Sequence, residues 1–312
     1  MTKRPNLIGF GSIAVDDLVY ISHFPRQGTK MQVDNLLRHG GGLAGTALVA
    51  AARLGANPSY FGVLGDDALS NFTIKAFQSE NVKTDLCIKK IGAKPFHSII
   101  LVVRPNGERT ILYTREGYTL PSKEDLAPEK FEGCEMIFID STAHPIFEHV
   151  CQIAHTLGIP ILADIEHTTN LPHQSVLDTI QYWLCNIEIA RQFTGKTTPV
   201  DILRSLETTH RKASAITAGE NGCWFKENNK PAHFLPAYPV DAMDTTGCGD
   251  VFHGAFAAAI LRDSTIPDAI MQAAAAAAMK ATQPGGRKGI PNLDHLLAFI
   301  TNHKQITPKK IS

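Results

Sequence analysis

The sequence predicts an α/β protein, a mostly parallel, doubly wound sheet with a small second β-sheet attached to it. Three observations predict it. From residue 136 to residue 217, short apolar runs alternate with helical segments in the rhythm of βαβ units. Two glycine-rich turns, at 40–42 and 245–249, each feed a helix of small residues. Two further stretches, near 16–39 and 95–117, have strand character of a different kind and read as insertions into that rhythm.

Residues 7–15 (LIGFGSIAV) are apolar and β-branched and predict a buried strand, and residues 30–39 a short one. Residues 40–55 (GGGLAGTALVAAARLG) predict a small-residue helix ending at Gly55. Such a helix either packs tightly on a glycine hinge or leaves room for a ligand at its N-terminus, and the residues alone do not choose. Residues 59–64 predict a strand and 65–80 a helix. Runs 96–103 and 109–114 flank Asn106-Gly107, a hairpin signal. With the strands near 16–39 they make a small antiparallel sheet, a candidate lid. Strands at 136–140, 161–164, 182–186 and 213–217 then alternate with helices at 146–157, 176–180 and 200–210. A hairpin is predicted through 223–225, helices at 251–262, 266–282 and 293–303, and an unstructured tail TPKKIS. The alanine run 273–278 reflects helix propensity and close packing. No tandem repeat divides the chain, and one domain spans 1–312.

Composition bounds the function. With 312 residues, 44% of them hydrophobic, the chain can bury a large core. Lys+Arg and Asp+Glu both number 30, so no overall charge draws it to nucleic acid or an anionic membrane. No apolar run approaches the roughly 20 residues of a membrane span. The six cysteines are scattered without a C-x-x-C pair, and the first residues show no signal-peptide core, so a cytoplasmic protein is expected.

The chemistry concentrates at 241–256, DAMDTTGCGDVFHGAF. A turn that delivers Gly247-Cys248-Gly249-Asp250 onto a helix start aims backbone N–H groups and the helix dipole at one point, which suits an anion. Asp250 sits beside it as a carboxylate able to take a proton. An anion cradle next to a base is what phosphoryl transfer to an alcohol requires. The plainer reading makes Asp250 a helix N-cap. Three other patterns lead elsewhere. Residues 9–14 satisfy G-x-G-x-x-A, with Asp34 downstream, but the next stretch of chain contains Pro25 and Gly28 and does not open a helix. Gly195-Lys196-Thr197 imitates the end of a P-loop whose first glycine position holds Ala190. Asp164, Glu166 and His167 follow a strand and read as solvated strand-end groups that could line a cleft.

Residues 244–255, DTTGCGDVFHGA, resemble the signature of the ribokinase-like, or PfkB, carbohydrate kinases, and residues 40–55 resemble that family's other glycine motif. The two lie about 200 residues apart in the expected order, so the resemblance covers nearly the whole chain. It implies a three-layer α/β/α core with a β lid, binding ATP and a sugar between them. Asp250 would be the base, and the N–H groups of Gly247, Cys248 and Gly249 would hold the charge developing on the γ-phosphate. Asp16, Gly41 and Gly42 would contact the sugar. Asn186 would begin an N-x-x-E motif, and the loop 217–222, with Thr217, Gly219 and Gly222, would touch ATP. Asp244 and Thr246 match positions whose carbonyls hold a monovalent cation such as K+, and lid-to-lid homodimers are common among such proteins.

The departures carry information too. The N-x-x-E glutamate position holds Ile189, with Glu188 one residue earlier as the remaining acid for Mg2+. Leu43, Thr46 and Ala14 replace residues that ribokinase uses on its sugar, which argues against ribose. In motif detail the chain is most similar to the sulfofructose kinase branch, including residues 284–291 (PGGRKGIP) and the lid pattern G-K-x-x-x-x-N, which falls on Lys30 and Asn35. That branch places an anion-binding Arg where this chain has Thr142. The expectation is an ATP-dependent, Mg2+-using sugar kinase acting on a primary hydroxyl of an anionic sugar. A nucleoside kinase, a 2-keto-3-deoxygluconate-type kinase or a non-catalytic sensor are the alternatives. Cys248, where similar proteins usually have Ala, is either a small residue that fits the turn or a thiol activated by the helix N-terminus.

Overall fold

A computed structural model of the chain describes residues 6–104, 108–169 and 171–311. Its larger sheet joins β1 (Asn6–Phe10), β4 (Asn57–Tyr60), β9 (Met136–Asp140), β10 (Ile161–Asp164), β11 (Tyr182–Asn186), β12 (Ala213–Thr217), β13 (Cys223–Glu227), β14 (Ala232–Leu235) and β15 (Lys309–Ile311). The spatial order is β15-β14-β13-β12-β11-β10-β9-β1-β4, parallel from β12 to β4 and antiparallel beyond β12. A second sheet, in order β3-β2-β7-β8, is built from β2 (Ala14–Ile21), β3 (Asn35–Gly41), β7 (Phe96–Val103) and β8 (Arg109–Thr114). A two-strand bridge pairs β5 (Val63–Leu64) with β6 (Ile88–Lys89). The fold class is as the sequence predicts.

Helices cover both faces of the larger sheet, and two clusters of buried side chains result. On one side lie α1 (Leu43–Arg53), α2 (Ala68–Ser79), α7 (Cys248–Ile260), α8 (Ile266–Ala281) and α9 (Leu293–Asn302). On the other lie α3 (His144–Leu157), the short α4 (Gln174–Leu177), α5 (Ile187–Thr194) and α6 (Pro199–Ser205). Parallel strands covered on both faces are apolar along most of their length, and β9 and β10, apolar up to their last residue, are buried at every residue.

The small residues of α1 and α7 let the two helices touch backbone to backbone. A Cβ at Gly254 of α7 would fall 2.1 Å from the Ala47 carbonyl oxygen of α1. Ala44, Ala47, Ala50, Ala257 and Ala258 complete a seam that is almost wholly out of solvent.

Four expectations change. Residues 7–15 are not one strand: the chain breaks at Gly11-Ser12-Ile13 and passes from the larger sheet into the smaller one. No helix opens on the Gly9–Ala14 pattern, as expected, but the smaller sheet is mixed rather than antiparallel, because β2 pairs parallel with β7. Residues 187–194 form α5, a helix the sequence pattern does not predict; Asn186 caps it by accepting from the Ile189 N–H, and Gly195 of the false P-loop is its left-handed C-cap. The tail is ordered in part, because Lys309–Ile311 pairs with β14. The strands of the predicted hairpin pair antiparallel, His97 with Thr114 through Val102 with Arg109, whereas its turn, 105–107, lies outside the described residues.

The seam gives a direct test. Gly254→Ala adds one methyl against backbone that cannot rotate away, and overpacking of this kind costs about 1–3 kcal/mol. The expected result is a lower midpoint in urea or thermal unfolding, while Ala258→Gly, which removes a methyl from α7, should also destabilise the protein through a small cavity.

Candidate active site

The C-terminal ends of the parallel strands set out a row of polar residues. β9 ends on Asp140, β10 on Asp164, β11 on Asn186 and β12 on Thr217. Asp140 lies opposite Asp164 in register, and Asn186 opposite Thr217. Ligands of open α/β sheets bind beyond this end of the strands. A hollow of about 610 Å³ beside Tyr182, Lys230 and Pro267 adjoins the other end of the sheet, because Tyr182 is the first residue of β11.

Asp250 lies on the first turn of α7, whose N-cap is Gly247 in the left-handed region at φ 75 and whose end no side chain caps. Glycine is required at 247, since a Cβ would meet the Gly286 carbonyl oxygen at 2.9 Å. Asp250 is therefore not the N-cap, and it is 8% exposed. Of the three expected donors, the Cys248 N–H is turned inward to the Thr245 carbonyl at 3.2 Å. Burial, and then Asp164 and Glu166, push the Asp250 carboxyl well above the usual carboxylate range, against the pull of Arg287. One oxygen from each of Asp164, Glu166 and Asp250 lies within 4.8 Å of the others. Glu166 is exposed on the loop after β10, and partial desolvation of its carboxyl, followed by the charges of Asp164 and Asp140, raises it to about 7. His253, one turn along α7, ties the site to the sheet. Its ring nitrogens lie 2.8 Å from the Gly249 carbonyl and 3.0 Å from the Leu184 carbonyl, and 3.6 Å from Asp164.

Across from α7, the small sheet supplies the other wall. A cleft of about 440 Å³ runs between Asp16, Asn35, His39, Arg104 and Arg109 of that sheet and the loops at 243–246 and 284–286. Gly41 is needed beside Asp16, because a Cβ there would fall 2.1 Å from the Asp16 carboxylate. Gly42 sits at φ 85, where a Cβ would be 2.5 Å from the Ser12 carbonyl. Burial raises the Asp16 carboxyl, and a hydrogen bond from Ser98 and the charges of Arg287 and His39 oppose that rise. Arg287 donates to the Gly41 carbonyl at 2.7 Å and to the buried Thr46 hydroxyl at 3.4 Å. It is the cation that acts on both Asp16 and Asp250, and burial lowers it to about 10. Arg109 crosses the cleft to Asp244 Oδ1 at 2.5 Å and also meets the Thr246 hydroxyl, linking the small sheet to the glycine turn.

Other expected residues fall elsewhere. The N-terminus of α1 offers no room for a ligand anion. The Leu43 N–H donates to the Ser12 hydroxyl, Ala44 N–H to Asp140 Oδ2 and Gly45 N–H to the Ser12 carbonyl. Asp140, fully buried, also takes the Ser12 N–H at 2.9 Å and the Thr142 N–H at 2.8 Å, so this helix carries an internal carboxylate. Lys30 is exposed on the loop before β3 and does not line the cleft, whereas Asn35 does. Glu188 points to solvent and pairs with Arg191 at 3.0 Å; the carboxylate cluster takes Glu166 instead, and Ile189 is buried. Thr217, Gly219 and Gly222 form the end of β12 and the turn into β13, the last two at φ 55 and φ 90. The Asp244 carbonyl accepts from the Lys280 ammonium at 2.6 Å. Burial pushes the Cys248 thiol up rather than down, and its sulfur lies 3.5 Å from the Ala277 carbonyl, so the small-residue reading fits better than an activated thiolate.

The residues that sequence reasoning missed are Asp140, Arg109, Arg287 and Lys280. Asp140 ends a predicted strand, which is a usable signal. Arg287 stands in the segment PGGRKGIP, which drew attention without giving it a role, whereas Arg109 and Lys280 gave no signal, because their partner Asp244 lies 135 and 36 positions away in the chain.

Comparison with known proteins bears on the whole chain. Residues 6–293 match the model of the pfkB family carbohydrate kinases. The chain is 25% identical over 317 residues to a ribokinase of Haemophilus influenzae, covering 95% of this chain and 99% of the relative. It is 26% identical over 291 residues to an aminoimidazole riboside kinase of Salmonella typhimurium, covering 86% and 90%. Its fold is similar to a putative ribokinase from Agrobacterium tumefaciens, TM-score 0.85 at 24% identity, covering 97% and 99% of the two chains. A ribokinase of Arabidopsis thaliana, solved with ribose and ATP, superposes with a TM-score of 0.83 at 20% identity, covering 96% and 99%. With its family model matched over nearly its full length, this chain belongs to the pfkB family of carbohydrate kinases, phosphotransferases that act on a sugar hydroxyl.

Proposed function

We propose that the protein transfers the γ-phosphoryl group of ATP to a primary hydroxyl of an anionic sugar, with Asp250 as the base. The observation that carries this is the buried Asp250 carboxylate on the first turn of an uncapped helix, with the glycine turn on one side and Arg287 and the lid cleft on the other. The sugar lies in the cleft against Asp16, Gly41 and Gly42, with Thr46 and Arg287 behind it. The ATP phosphates run along the strand ends past Asn186 and the 217–222 turn to the start of α7. Phosphoryl transfer needs little covalent help from the protein, so positioning and charge stabilisation are the work of these groups. In the turn, Gly247 and Gly249 donate to the phosphoryl oxygens, and the dipole of α7 adds to them.

Hard cations prefer carboxylate oxygens, and the Asp164–Glu166–Asp250 cluster fits Mg2+ better than exposed Glu188. Asp164 and Glu166 are the residues that would hold the ion, directly or through water. Bound there, it would neutralise charge on the ATP phosphates and help to keep Asp250 ionised. The anionic class of acceptor rests on the lid pattern G-K-x-x-x-x-N, of which Asn35 lines the cleft beside Arg104 while Lys30 stays outside it on the exposed loop. The fully exposed β8 and the exposed Leu36, Ile111, Leu112 and Tyr113 support pairing of two lids in a homodimer.

Three experiments test this reading. Asp250→Asn keeps the shape and removes the base; kcat in an ADP-release assay should fall by about 10²–10⁴ with little change in the KM for ATP. Near-wild-type turnover would remove Asp250 from the mechanism. The assay should include sugar phosphates, sugar acids, neutral hexoses, ribose and nucleosides, the last because of the riboside kinase among the relatives. Asn35→Ala and Arg104→Ala, both on the cleft wall, should each raise KM several-fold for the anionic acceptors alone, and an unchanged KM would sink the anionic class.

The third test uses pH. A carboxyl raised to about 7 is mostly protonated at pH 6, so Mg2+ bound there must displace its proton. Calorimetry of Mg–nucleotide binding in buffers of different ionisation enthalpy should show more proton release at pH 6 than at pH 8. Glu166→Gln should abolish most of that difference and raise the Mg2+ needed for half-maximal activity about 10–100-fold. Equal release by wild type and variant would place the ion elsewhere.

A further inference from the structure

The resemblance to the family implies a monovalent cation held by the carbonyls of Asp244 and Thr246, and the residues around that loop do not fit one. Lys280, on the last turn of α8, is 0% exposed, and its ammonium donates to the Asp244 carbonyl at 2.6 Å. That carbonyl is the oxygen a K+ ion would need. The loop and the ammonium are fixed to each other, because the Met243 and Asp244 N–H groups both donate to the carbonyl of Ala281, at 2.8 and 3.0 Å. The Asp244 carboxylate is also engaged. Its Oδ1 takes the Thr246 N–H at 2.8 Å and the Arg109 guanidinium, and its Oδ2 takes the Gly285 N–H at 2.8 Å. A second cation beside a buried ammonium would meet strong repulsion in a low-dielectric setting.

From this geometry we infer that the Lys280 ammonium takes the place of the monovalent cation, so that the glycine turn is held ready for nucleotide without K+. The inference rests on the kinase reading. Lys280 is a positioning residue: it acts on phosphate through the loop at 243–246, which leads directly into Gly247 and α7. Charge near Asp244, Cys248 and Asp250 is thereby supplied by the chain itself and does not vary with the salt around it.

The test compares the full-length protein in KCl and in tetramethylammonium chloride at equal ionic strength, by thermal unfolding and by calorimetric binding of a non-hydrolysable ATP analogue. For wild type, the expected midpoint and Kd are the same in both salts, Kd within about twofold. Lys280→Ala opens a cation-sized space; it should bind the analogue at least tenfold more weakly in tetramethylammonium and recover in KCl. Lys280→Met fills the space without charge and should be weakened in both salts, with no recovery, which a merely structural lysine would not produce as a pair. A wild-type midpoint or Kd that improves tenfold or by several degrees specifically in KCl overturns the inference, and so does a Lys280→Ala protein indistinguishable from wild type in both salts. If Lys280→Ala does not fold, the wild-type comparison still decides. Failure of the kinase reading looks different: wild type would bind no nucleotide in either salt, while its unfolding midpoint would still report on K+.

Discussion

The backbone contact between α1 and α7 is the constraint on which the rest depends. Only glycine at 254 lets α7 lie against the Ala47 carbonyl, and the alanines along the seam keep the two helices that close. With their spacing fixed, the Gly42 and Gly247 ends of the two helices arrive near one another, since Thr46 of α1 sits 3.4 Å from where a Gly247 Cβ would be. The positions of the Gly42 end and the Gly247 turn are thus set by helix packing rather than by the loops themselves. Dense interiors transmit such constraints, because a shift of one helix cannot be absorbed by empty space.

Two helix N-termini could have held an anion, and the fold uses them differently. At α1 the buried Asp140 and Ser12 satisfy the first-turn donors from within. At α7 no side chain does so. Seen from the residues alone, both are glycine turns feeding small-residue helices. The difference lies in a carboxylate 96 positions from Ala44, which strand register delivers and no local pattern reveals. The fold class, most strands, the Gly247–Asp250 turn and the Asp16–Gly41–Gly42 group were legible because each rests on local periodicity or on a contiguous motif. The carboxylate cluster was half legible. Asp164 and Glu166 were visible as a strand end, but their approach to Asp250 depends on β10 lying under α7. Glu188 drew attention by its place in a motif, and the helix it stands on turns it to solvent. Arg287 was visible only as part of PGGRKGIP, and Arg109 and Lys280 not at all, because long side chains reach across elements whose pairing is tertiary.

The charges in the site form a graded series. Asp140 is saturated by donors, whereas Asp164, Glu166 and Asp250 crowd together with few. Crowded carboxylates resist ionisation until a cation joins them, so the ionisation of Asp250 would follow any positive charge brought up to Asp164 and Glu166. Arg287, shared between Asp16 and Asp250, connects the wall of the smaller sheet to the start of α7.

The last strand has a practical meaning. β14 would otherwise present an unpaired edge, and three residues, Lys309–Ile311, occupy it. Lys309 and Lys310 are exposed, so a foreign strand approaching that edge meets two positive charges. A purification tag or a deletion at this end of the chain therefore acts on the border of the main sheet rather than on a loose tail.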